Sequence, residues 1–198
     1  MNVSGAFYFL FSTLFDIYIS IVLARFILQL VRADFYNPVS QFIVKATNPL
    51  LIPSRRIIPG FGGLDIASLV VFVLLIVIKI ALTVHVFGVA PQYPNPLLIS
   101  YFQQPSPLLF ILLTLLTVAT TIINFFLFVI FVSAILSWVT AAGGGYNPFA
   151  DILRQMAEPV LAPARKIIPP MGGLDISPML VILAIYFIKQ LFGLSGLP

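Results

Sequence analysis

The chain carries one segment twice, at a fixed offset of 110 residues. Tyr36-Asn37-Pro38 returns as Tyr146-Asn147-Pro148, and Gly62-Gly63-Leu64-Asp65-Ile66 returns as Gly172-Gly173-Leu174-Asp175-Ile176. Between residues 53 and 66, ten of fourteen positions match their partners, among them Arg55 with Arg165 and Ile57-Ile58 with Ile167-Ile168. A gapless offset marks an internal duplication and restricts the fold to two copies of one unit. Each copy of the motif stands between two long apolar runs. The unit is therefore read as a pair of membrane spans joined by a structured loop.

Four apolar runs contain no proline: residues 7–31, 66–87, 108–140 and 179–193. A spanning helix needs about 20 residues to cross about 30 Å of hydrocarbon. The first two runs fit, the third is long enough to tilt or emerge, and the fourth is marginal. All sixteen prolines lie outside these cores, as the cost of an unpaired backbone group in lipid requires. Composition agrees: 61% of residues are hydrophobic and 8% charged, against about 25% charged in soluble domains. Ten basic and six acidic residues cannot cover the surface of a water-soluble body of this size. The net charge of +4 is scattered between apolar runs and makes no phosphate-tracking groove, so nucleic acid is not a partner. There is no cysteine, hence no disulfide, thiolate nucleophile or thiolate-bound metal. Residues 1–8 lack the basic start of a secretory signal, and the run that follows is too long for one.

The organisation expected is repeat 1 at 1–88, an uncharged linker at 89–107 and repeat 2 at 108–198. Loop 32–65 carries Arg32, Lys45, Arg55 and Arg56, and loop 141–175 carries Arg154, Arg165 and Lys166. The positive-inside rule puts both loops in the cytoplasm, with both termini and the linker on the periplasmic side. The fold class is all-α: an integral membrane protein of four transmembrane helices, built from two parallel two-span repeats with interfacial amphipathic helices.

Within each loop, Asn37 or Asn147 is a natural N-cap and Pro38 or Pro148 suits the first helical position. The spacing predicts a helix of about three turns that ends before Pro49 or Pro159. Its apolar face either lies in the membrane interface or packs on the bundle. The segments at 53–59 and 163–169 join basic residues to paired isoleucines. Arg55, Arg56, Arg165 and Lys166 are candidates to grip anionic lipid headgroups or a partner protein; the alternative is that they only set topology. Gly62-Gly63 and Gly172-Gly173 allow a tight turn. Asp65 and Asp175 then cap the second span of each repeat. A phosphate-binding reading of this element fails for want of the glycine spacing and the Lys-Ser/Thr pair of a nucleotide loop.

Lys79 and Lys189 recur at the same offset, well inside the second span of each repeat. An intramembrane lysine marks a functional site or snorkels to the interface. Asp16, the one acidic residue within an apolar run, lies at matching depth by a count of 1.5 Å per residue, so pairing with Lys79 or Lys189 is expected. With Asn124 these residues either converge on a polar cavity or serve as ordinary links between helices. Arg25, near the cytoplasmic end of its span, is expected to snorkel. His85 is the only histidine and has no company that would make a metal or haem site. No catalytic residue, metal site or cofactor loop is written in the sequence.

The Asn-Pro helix start, the Pro-x-Arg-Arg/Lys-Ile-Ile-Pro segment and the Gly-Gly-Leu-Asp-Ile turn together resemble the YggT family of bacterial and plastid membrane proteins, here as two tandem family units. The resemblance implies an inner-membrane protein without established enzymatic activity. Bacterial members are linked to osmotic and potassium stress tolerance, and plastid relatives to haem attachment in cytochrome b6 assembly. A factor that assembles or organises an unidentified membrane protein partner fits these roles. Ion homeostasis, direct or as a regulator of potassium transport, is the alternative, and four helices per chain would make a pore only as a homo-oligomer.

Overall fold

The computed structural model describes residues 3–60, 63–87, 100–101, 103–141, 143–168, 175–192 and 194. Gly62, Gly172 and Gly173, and residues 89–99 and 102 of the expected linker, lie outside the described residues. The long elements are α1 (Val3–Leu30), α2 (Pro38–Ile57), α3 (Ile66–Leu82), α4 (Pro107–Ala141), α5 (Pro148–Ile167) and α6 (Ser177–Leu191). The duplication is visible in the elements: α2 and α5 each have 20 residues and start 110 positions apart.

Among the described residues, three helical stretches are long and apolar enough to cross a membrane. They are Gly5–Leu30, Ile66–Phe87, where α3 continues as a π-helical turn, and Pro107–Thr140. Their backbones satisfy themselves, and Thr114, Thr117, Thr120 and Thr121 turn their hydroxyls back onto carbonyls of α4, which leaves few stray donors in the apolar zone. The expected fourth span is shorter. α6 has 15 residues, about 22 Å at 1.5 Å per residue.

α1 and α3 run antiparallel: Phe11 stacks on Phe87 with centroids 4.9 Å apart, Asp16 meets Lys79, and Gln29 reaches the Gly63 carbonyl. Val22, Leu28, Phe72 and Ile76 fill the seam between them and are fully buried. α4 and α6 repeat this pairing in the second copy, with Lys189 against Asn124. α2 and α5 lie across the loop ends of the bundles. Their apolar stripes, Ile43 and Leu51 in one copy and Leu153 and Leu161 in the other, are buried in the common core.

The amphipathic helices do not stop before Pro49 and Pro159. They run on through Pro49 and Pro53, and through Pro159 and Pro163, to Ile57 and Ile167. A proline inside a helix frees the carbonyl four residues back and crowds it. The four-residue spacing puts both prolines of each helix on one stripe, and all four are exposed. The interruptions thus fall on the exposed side of each helix and away from its buried stripe.

Candidate functional site

The repeated motif builds an ion-pair lock at the loop end of each bundle. In the first copy Asp65 is the N-cap of α3 and accepts from the Ser68 amide at 3.2 Å and from the Ser68 hydroxyl. The Arg55 guanidinium, at the end of α2, grips the same carboxylate through Nη2 and Nε. The lock thus fastens the last turn of α2 to the first turn of α3. Gly63, with φ of 81°, turns the chain between them in a conformation that glycine adopts without strain. Burial by itself would raise the Asp65 carboxyl, but the hydrogen bonds from Arg55 and Ser68 outweigh it and hold the pKa below the usual range.

The second copy reaches the same result by a different bond pattern. Pro178 stands where the first copy has Ser68, and it offers neither amide hydrogen nor hydroxyl. Asp175 accepts instead from the Ser177 amide at 2.9 Å, α6 begins one residue later, and its N-cap Ile176 contributes no side-chain bond. Arg165 donates to Asp175 at 2.8 Å and also to Glu158 on its own helix. Burial opposes the charge of Arg165, yet its two carboxylate partners raise its pKa; Asp175 is lowered by Arg165 and Ser177 against its own burial. Asn37 and Asn147 cap α2 and α5 by accepting from Val39 and Phe149, each at 2.9 Å, with Pro38 and Pro148 in the first turn.

Of the four basic residues expected at the surface, then, Arg55 and Arg165 are spent on the locks. Arg56 and Lys166 are exposed and hold no ion pair among the described residues. Beside them Ile57 and Ile167 are 82% and 75% exposed.

Asp16, Lys79, Asn124 and Lys189 are joined as two pairs, one in each repeat. Lys79 donates to Asp16 at 2.6 Å, and Lys189 to Asn124 at 2.8 Å. The pairs differ in setting: Lys189 is buried, whereas the Asp16 side chain is half-exposed on the outer surface of α1. Arg25 does not snorkel. It is 7% exposed, lies 5.5 Å from the centroid of Phe35, and leaves Nε and Nη1 without partners among the described residues. Its position in the second copy is Ile135, so the duplication gave no hint of it.

The two copies meet through the motif residues Asn37 and Pro148 and through Asp34 and Gln155 outside the motif. The Asn37 side-chain amide donates to the Pro148 carbonyl at 2.8 Å, and the Asp34 backbone amide donates to Gln155 at 3.1 Å. α5 thereby packs on α1 and α2, and α4 lies against α3. Around Asn147 the second copy instead has an open cavity of about 410 Å³, lined by Ser137, Thr140, Tyr146, Asn147, Asp151 and Arg165 among others.

The family model described as CCB3/YggT matches the chain twice, over residues 4–86 and 112–195. A Pseudomonas aeruginosa protein, itself named as uncharacterized, is 43% identical over 195 residues, covering 96% of this chain and 92% of its own. An uncharacterized protein encoded beside proC in Vibrio alginolyticus is 40% identical, covering 93% and 92%. The uncharacterized protein YggT of Escherichia coli K12 is 37% identical, covering 92% and 86%. No solved structure matches the chain significantly.

Proposed function

The chain belongs to the CCB3/YggT family, and from that membership we propose a non-enzymatic, multipass inner-membrane protein that organises or assembles other membrane proteins. α6 serves as the fourth span, and the two repeats are parallel. The loop ends with their locks face the cytoplasm, and both termini face the periplasm, because all the loop arginines and lysines lie on one side. The supporting observation is the repeated pair of exposed residues beside each lock, Arg56-Ile57 and Lys166-Ile167. A cation next to a large apolar side chain at interface depth suits anionic headgroups and a protein partner that approaches along the membrane. The locks hold these pairs at fixed places on the bundle.

The test is recovery of partners. Arg56→Gln with Lys166→Gln removes the exposed cations and keeps both locks. Purification in mild detergent should return a stoichiometric membrane protein with the native chain and lose it with the double variant. Equal recovery with both, at unchanged topology, defeats the reading. Topology is checked in the cysteine-free chain by impermeant thiol labelling of spheroplasts: Asn95→Cys should react and Arg56→Cys should not.

The Asp16–Lys79 ion pair inside the apolar zone favours a second reading, ion homeostasis. Ion flux through the pure protein in proteoliposomes, lost on Asp16→Asn, would place that reading first.

A further inference from the structure

The interface between the copies is one-sided. α5 presents a stripe of Pro148, Ile152 and Gln155 to the first copy: Pro148 and Gln155 accept bonds from Asn37 and Asp34, and Ile152, one turn from each, is 1% exposed. The stripe closes a cleft in the first copy, where Ile27, Asn37 and Ser40 are at most 4% exposed. A two-fold arrangement would return the favour, with α2 closing the matching cleft of the second copy. It does not. The matching residues Ser137 and Asn147 are exposed, Ala150 is half-buried, and together they line the 410 Å³ cavity. Among the described residues nothing does for the Asn147 side-chain amide what Pro148 does for Asn37.

The complementary surface is present and unused. On α2 the residues that correspond to Pro148, Ile152 and Gln155 are Pro38, Phe42 and Lys45, and all three are exposed. Phe42 is 62% exposed where Ile152 is buried. Asp151 in the open cleft, where the first copy has Gln41, is already held by Arg154 and Gln155, so the match between ridge and cleft is one of shape and position. One chain thus carries an unfilled socket on its second copy and an uncovered ridge on its first.

We propose that the cleft of the second repeat binds the α2 ridge of another copy of this chain, repeating between chains the contact that joins the two repeats within one. The ridge inserts Phe42 beside Ser137 and Ala150. Such a head-to-tail contact builds rings or rows of chains and not an isolated two-fold dimer.

The test uses the absence of native cysteine. A tagged Phe42→Cys chain and a differently tagged Ser137→Cys chain are expressed together, and native membranes are treated with a short thiol cross-linker. Asp34→Cys with Gln155→Cys in one chain is the internal reference. The expected result is a mixed dimer of the two tagged chains, absent when either is expressed alone, and lost when Ala150→Trp fills the cleft. Native mass measurement in mild detergent should show an oligomer that the Ala150→Trp chain cannot form. A Phe42→Cys chain that links to itself as strongly would indicate a two-fold contact and overturn the proposal. So would a mixture that stays monomeric while the reference pair cross-links.

Discussion

At the scale of single residues, the two locks are not equal, and the difference is measurable. The Asp65 side chain is 4% exposed and that of Asp175 is 15% exposed, and Arg165 keeps Glu158 when Asp175 is lost. Asp65→Asn should cost about 1–3 kcal/mol, the range for hydrogen bonds weakened at a buried acceptor, and Asp175→Asn should cost less. Thermal unfolding in mild detergent, followed by the emission of the single Trp138, compares them. Both carboxyls have lowered native pKa values. Their stabilisation is therefore complete above the unfolded-state value of about 3.9 and is lost as pH falls through the lowered native value. The double Asp→Asn variant should lack that acid-side loss. A depth count from the helical rise put Asp16 level with Lys79 and Lys189 alike, and the structure pairs it with Lys79. The partner of Lys189 was not legible. The duplication copied the lysine, but the position of Asp16 became Phe126, and Asn124 supplies the acceptor from two residues earlier.

At the scale of elements, one substitution separates the two helix starts. Ser68 provides an amide and a hydroxyl to Asp65, and Pro178 provides neither. Ser68→Pro should convert the first copy to the pattern of the second, shift the start of α3 by one residue, and cost roughly 1–3 kcal/mol for bonds lost at a buried carboxylate. Ser68→Ala, which keeps the amide, should cost about 1 kcal/mol. Hydrogen exchange at the first turn of α3 reads the shift, and thermal unfolding reads the cost. The offset, the asparagine caps and the long apolar helices were all legible, since each rests on local chemistry. The full length of α2 and α5 was not. A proline read singly marks a helix end, and only its burial reveals that Pro49 and Pro53 share an exposed stripe. The shortness of α6 was legible too, since the fourth apolar run was already marginal as a span and α6 has 15 residues.

At the scale of the whole molecule, the two copies have near-identical motifs and unequal surroundings. Asn37 does two jobs, capping α2 and bonding to Pro148, whereas among the described residues Asn147 only caps α5. Asn147→Ala should cost about 1 kcal/mol, as for an ordinary cap. Asn37→Ala should cost about 2 kcal/mol, a cap plus one buried hydrogen bond. The same unfolding measurement decides, and equal losses would show that the cross-copy bond contributes nothing. No motif comparison could have revealed this inequality, because it arises from how one copy sits on the other. It also has a consequence in time. Asp34 and its partner Gln155 are 121 residues apart. At a synthesis rate of about 5–20 residues per second, the first copy waits roughly 6–24 s, already made, before the ridge that covers its polar cleft leaves the ribosome. For that interval a ridge from a finished neighbour competes for the place, so crowded synthesis should raise the share of chains that exchange their second halves.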